Sequence, residues 1–289
     1  MSRLGTEPFI RIETLEELFA VAAAMEREAI EGYSELARRM DEEERPELAE
    51  VFERLAAEES AHLDNVVGWS QRMTGKEPDL SVLRAEPDAT FDDEGAGTVA
   101  PELVDAYRAF SMAVRNEERA FAFWTYVAAQ SPSPELRRAA EQMAREELEH
   151  VARLRRERRR AFHQARSAAA DGEGWTLPAL ENRVAALIDE AVRGEADAAR
   201  ARALEGLAAT ARLRAGALTH APLGETRLLS GVRPEIPARL RPAVELLLDC
   251  YLDLGERLPS QGARDRAQAY ATELLDCVSL VREAARMPA

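Results

Sequence analysis

Cysteine is nearly absent from the 289-residue chain: only Cys250 and Cys277 occur, which excludes a disulfide framework and any Cys-x-x-Cys metal knuckle. Such a chain suits a reducing compartment, and a cytoplasmic location is the expectation. Aromatic residues are scarce too, at 6% against 46% for all hydrophobic residues. Ala, Leu, Glu and Arg dominate instead, and no run alternates as a strand, so the composition is that of packed amphipathic helices. Positive charge is in deficit. A formal net charge of −15 repels a phosphate backbone or an anionic bilayer, which argues against nucleic acid and membrane as partners. The one basic run, Arg153 to Arg160, is interrupted by Leu154 and Glu157 and reads as a solvated helix end. Long apolar runs are missing as well. The longest early one, Leu18 to Met25, is too short to span a bilayer, and the N-terminal MSRLGTEPFIRIE has no basic region followed by an apolar core.

What remains is helical pattern. Thr14-Leu-Glu-Glu17 has the form of a capping box, and from it a first helix is predicted to about Met40, with Leu15, Leu18, Ala22, Ala29, Tyr33 and Leu36 on one face. After a short turn, a second helix is predicted from about Glu47 to Arg72, carrying Leu48, Phe52, Leu55 and Val66 at the same period. Residues 74–100, rich in Pro, Asp and Gly, show no period of either kind. Pro101 suits the first turn of a third helix ending near Gln130, and Ser133-Pro134 opens a fourth to about Ala168. Connections therefore run short, long, short. A helix of about 28 residues is about 42 Å long, so a chain running back along it needs at least about 13 extended residues. The middle connection is ample. Two helical hairpins joined by one long crossover is the ferritin-like arrangement, so the expected fold is all-α, with a ferritin-like four-helix bundle in residues 1–172.

Residues 173–289 read as a second helical bundle, with helices near 177–192, 195–216, 238–257 and 261–286. Laying Tyr251 on Trp124 aligns Glu273, Leu275 and Val278 with Glu146, Leu148 and Val151 without a gap. The second bundle is therefore expected to be a degenerate ferritin-like repeat.

The chain has four histidines, and two of them follow a glutamate by one helical turn, in Glu59-Ser-Ala-His62 and Glu147-Leu-Glu-His150. Both pairs continue the apolar stripes of their helices, so all four side chains should face the bundle core, where an unpaired carboxylate is costly. The first and third helices place Glu26 and Glu117 on their own core faces, with Tyr33 and Trp124 two turns further along and expected to back the site. Taken singly, a glutamate at a core edge often snorkels or pairs with Arg, and a core histidine is more often hydrogen-bonded than metal-bound. One core Glu per helix plus a His on alternate helices is, however, the ligand set of a di-metal carboxylate bundle. In the second repeat the alignment puts Val244, Leu274 and Cys277 where Glu117, Glu147 and His150 stand, so no metal is expected there. Cys250 and Cys277 are expected as small buried core residues.

The segments AMEREAIEGYSELA with AAEESAH, and VRNEERAFAFWTYVA with AREELEH, resemble the two half-repeats of the rubrerythrin-type ferritin-like di-iron family over about residues 12–165. The resemblance implies a di-iron site in which Glu59 and Glu147 bridge the metals, Glu26 and Glu117 bind one metal each, and His62 and His150 complete one metal each. It implies oxidation of that site by hydrogen peroxide or oxygen, as in a peroxidase or ferroxidase. Two departures stand out: the chain lacks a rubredoxin-like module with its four cysteines, and Ala120 stands where many relatives have a further carboxylate. The electron donor is thus unassigned.

The expected cofactor is two iron ions, with manganese as the alternative, since carboxylate and imidazole suit both. The expected protein is a non-haem di-iron oxidoreductase. The competing expectation is a metal-binding helical adaptor or sensor without turnover. A homodimer is among the expected assemblies.

Overall fold

The computed structural model describes residues 12–83, 90–169 and 174–286. The expected domain boundary at 172/173 lies outside the described residues. Two compact units emerge, one of residues up to 98 with 104–162, the other of 99–103 with the residues from 163 onward.

Among the described residues, the first unit is built on four α-helices. Helix α1 spans Leu15–Glu42 behind the predicted capping box: Thr14 Oγ1 accepts from Glu17 N at 3.1 Å, and Glu17 Oε2 accepts from Thr14 N at 3.2 Å. Such a cap is worth about 1 kcal/mol. Helix α2, Pro46–Thr74, starts on a proline and ends at Gly75, whose φ of 76° is the left-handed conformation that closes many helices. Helix α3 spans Ala106–Gln130 and α4 spans Pro134–Ala169. The α3 start corrects the expectation at Pro101. Residues Pro101–Leu103 form a separate 3-10 turn, and Asp105 caps α3 by accepting from Arg108 N at 2.7 Å. The physical reason is that the turn belongs to the second unit, where Ala100 N donates to Glu245 and Glu102 pairs with Arg239.

Apolar stripes of all four helices meet in one core. Leu18, Phe19 and Met25 of α1, Val66 of α2, Trp124 and Val127 of α3, and Leu136, Ala140 and Met143 of α4 all belong to it. The basic run of α4 is partly paired, Arg153 with Glu58 at 3.3 Å, Arg155 with Glu118 at 2.6 Å and Arg160 with Glu157 at 2.5 Å.

The second unit also pairs its helices as hairpins, α5 (Leu177–Gly194) with α6 (Ala198–His220) and α8 (Leu240–Arg257) with α9 (Gln261–Arg286), across a connection that holds the single turn α7 (Glu235–Ala238). Its core gathers Leu180, Val184, Ile188, Leu247, Tyr251 and Leu274. Val244, Leu274 and Cys277 are all buried. Both cysteines are free and buried, as expected. Among the described residues, no helix is long and apolar enough to cross a membrane.

Candidate metal centre

Helical periodicity delivers the six acidic and imidazole side chains to one level of the first unit. Glu26 comes from α1, Glu59 and His62 from α2, Glu117 from α3, and Glu147 and His150 from α4. They form two groups of like composition: Glu26, Glu59 and His62, and Glu117, Glu147 and His150, each with its donor atoms within 4.8 Å of one another.

Each imidazole turns Nδ1 toward the carboxylates. His62 Nδ1 lies 3.0 Å from Glu59 and 3.9 Å from Glu26, and His150 Nδ1 lies 3.3 Å from Glu147 and 3.5 Å from Glu117. The two rings stack on each other, 3.7 Å between centroids and 5° from parallel. The groups are therefore halves of one site. Glu117 ties them together, lying within hydrogen-bonding reach of both Glu147 and Glu59, as Glu26 does of Glu59.

Three of the carboxylates, on Glu59, Glu117 and Glu147, are buried. Burial, and then the neighbouring carboxylates, hold Glu26 and Glu117 well above the ordinary carboxyl range. Burial also pushes on Glu147, but the facing His150 ring and the Glu117 carboxyl outweigh it, so Glu147 ends below its ordinary value. Without a cation the protonated forms of Glu26 and Glu117 are favoured, and a metal would compete with those protons. Among the described residues, no Lys or Arg forms an ion pair with any of the four carboxylates. His150 Nδ1 is buried and makes no hydrogen bond. An orphaned ring nitrogen beside uncompensated carboxylates is a donor set that fits divalent metal ions.

A cavity of about 40 Å³ adjoins the four carboxylates. Tyr33 lines it from α1, and its hydroxyl accepts from Asn116 Nδ2 at 3.3 Å. Burial, with Glu59 adding to it, raises the Tyr33 phenol well above its ordinary range, so the phenol keeps its proton. Trp124 lies elsewhere, in the apolar core against Phe123, with ring centroids 4.9 Å apart.

The sequence reading missed four wall or flank residues. Asn116 lines the cavity and accepts from Asp92 N at 3.1 Å, Thr90 and Phe91 of the crossover line it too, and Arg153 places Nη2 3.5 Å from His62 Nε2. A polar residue beside Glu117 on a core face was the one available signal for Asn116. Nothing in the periodicity shows where the crossover lands.

The family model described as Rubrerythrin matches residues 17–109. That stretch holds Glu26, Glu59 and His62 and stops short of Glu117, Glu147 and His150, which the geometry adds as the second group. No curated protein and no solved structure matches the chain.

Proposed function

We propose, from the premise that the first unit is a rubrerythrin-like, ferritin-like di-iron domain, that the chain is an oxidoreductase reducing hydrogen peroxide or oxygen at a carboxylate-bridged di-iron site. The observation that carries this is the set of four facing carboxylates and two inward imidazole nitrogens with no Lys or Arg among the described residues paired to balance them. Two divalent ions would bring such a cluster close to neutrality, and manganese would satisfy the same donors.

In this reading Glu26, Glu59 and His62 would hold one ion and Glu117, Glu147 and His150 the other. When bound, a pair of iron(II) ions supplies two electrons, one from each, which with two protons reduce one peroxide to two waters. The chain's own residues do the rest. Burial excludes bulk water from the carboxylates. Glu26 and Glu117 release their protons as metal enters. Tyr33, its oxygen already accepting from Asn116, keeps its hydroxyl proton free for whatever occupies the cavity. An external donor must return the electrons.

The test is anaerobic loading with Fe(II), followed by separate mixing with oxygen and with peroxide while the near-ultraviolet absorption of the oxidised centre is followed. The reading expects uptake of about two irons per chain and rapid oxidation by at least one oxidant, faster with peroxide for a peroxidase and with oxygen for a ferroxidase. Iron that binds and is oxidised by neither would overturn it in favour of the adaptor or sensor. Failure to bind iron or manganese would overturn both.

A further inference from the structure

The cavity beside the carboxylates is walled by all four helices and by two residues that are not helical, Thr90 and Phe91 of the crossover. Four hydrogen bonds hold this stretch in place. Thr90 donates to Glu28 Oε2 from its backbone N at 3.2 Å and from its hydroxyl at 3.4 Å, its carbonyl accepts from Arg119 Nε at 3.0 Å, and Asp92 N donates to Asn116 Oδ1 at 3.1 Å. Arg119 Nη2 also donates to Asn116 Oδ1, which links the clamp to the residue that holds Tyr33.

The Phe91 ring meets Tyr33 edge-on, with centroids 5.0 Å apart. Its seat is cut into α1. A Cβ on Gly32 would come within 2.2 Å of Phe91 Cε1, 2.5 Å of Cζ and 2.6 Å of Cδ1, distances that real Cβ atoms do not show. Glycine inside a helix weakens it, so Gly32 calls for a packing reason, and the Phe91 ring supplies one. With the ring seated, the cavity measures about 40 Å³, against the 10–15 Å³ or so that one water requires by the same measure. That is room for about three or four non-hydrogen atoms.

We infer that Phe91, seated over Gly32, is the size-selecting residue of the metal site, admitting small oxidants such as dioxygen and hydrogen peroxide and turning away bulky organic hydroperoxides. The inference rests on the di-metal reading and deepens it. Phe91 makes no contact that would hold a metal, so its role is to bound the space next to the carboxylates rather than to take part in the chemistry. Gly32→Ala and Phe91→Ala attack the same wall from opposite sides: the first evicts the ring and leaves it on the chain, the second removes it. Alanine strengthens α1 at position 32, so the first variant is expected to fold.

The experiment uses full-length protein loaded with Co(II), whose visible absorption reports both metal uptake and the arrival of an added anion. Azide serves as the three-atom probe and benzoate as the bulky one. Wild type is expected to take up about two cobalt ions per chain and to bind azide at least about 100-fold more tightly than benzoate. Both variants should keep the cobalt stoichiometry and narrow that ratio by about tenfold or more, chiefly by admitting benzoate. Two cobalt ions with an unchanged ratio in both variants would overturn the size-selecting role alone. Wild type that takes up no cobalt would overturn the metal reading and this inference with it.

Discussion

The two units bury charge in the same kind of scaffold and balance it differently. In the first, Glu26 on α1 and Glu59 on α2 face each other, and among the described residues only the His62 imidazole, 3.9 Å and 3.0 Å away, pairs with them. In the second, Glu181 on α5 and Arg214 on α6 are 33 residues apart, the same step that separates Glu26 from Glu59. Here the opposing group is a guanidinium: Arg214 Nε donates to Glu181 Oε1 at 2.6 Å and Nη2 to Oε2 at 3.0 Å, a two-pronged pair. Tyr251 donates to Glu181 at 2.5 Å, and Arg214 Nη1 reaches Glu273 at 3.2 Å. The second bundle thus carries its cation covalently, whereas the first leaves four carboxylates waiting for one. A site that a protein has satisfied with its own side chains is structural. One that it has left unsatisfied at a cost is a place for a ligand.

The comparison breaks first at Arg214. Arg214→Met would strand a fully buried carboxylate and should cost about 3–5 kcal/mol, read by urea unfolding, with hydrogen exchange locating the loss in α5, α6 and α8. The double variant Glu181→Leu/Arg214→Met should recover most of it. A single variant as stable as wild type would mean that Glu181 does not depend on Arg214.

In the first unit the sign reverses. Glu26→Ala removes a carboxyl that burial and the neighbouring carboxylates hold well above its ordinary range and leaves a strong helix former, so metal-free protein should be unchanged or gain up to about 1–3 kcal/mol. The same variant should lose most of the stabilisation that Fe(II) or Co(II) gives wild type, measured as the shift in melting temperature. Loss of stability in the metal-free state would show that the carboxylates are already satisfied.

An effect smaller than that of Arg214→Met is expected at Tyr251→Phe, which deletes one hydrogen bond to a charged carboxylate at a cost of about 1.5–3 kcal/mol. Glu181 also sets a pH dependence. Burial, its largest influence, keeps its pKa above the ordinary 4.5 although Arg214 and Tyr251 pull it down. Its contribution to stability is therefore full below about 4.5 and is lost as the pH rises through the folded value. In Glu181→Gln that loss should vanish from the stability profile. Smallest of all should be the response to thiol reagents. Burial raises the Cys277 thiol to about 11 and the Cys250 thiol further, so neither should be alkylated by iodoacetamide at pH 8 while the fold holds, checked by mass spectrometry.

Much of this was legible from residue order alone. The spacing Glu59 to His62 and Glu147 to His150 puts each pair on one helical face whatever surrounds it, and the apolar stripes say which face is inward. The long middle connection implied two hairpins joined by a crossover, and the burial expected of Cys250 and Cys277 is what the structure shows. Pro101 misled because proline is equally at home opening a 3-10 turn, and the ties of Ala100 and Glu102 to Glu245 and Arg239 connect residues far apart in sequence. The landing of Phe91 on Gly32 was hidden for a like reason, since an irregular segment has no period to extrapolate. In the sequence, nothing sets Arg214 apart from the other arginines of α6. Only its partner, 33 residues earlier, reveals it as buried charge balance.

The central claim is that the six acidic and imidazole residues of the first unit hold the metal, and metal content measured by mass spectrometry after dialysis against Fe(II) or Co(II) without oxygen tests it most directly. Wild type should hold about two ions per chain and Glu59→Ala/Glu147→Ala close to none, while Arg214→Met changes nothing that the folded fraction does not explain. Two ions retained by the double glutamate variant, or none bound by wild type, would contradict the account.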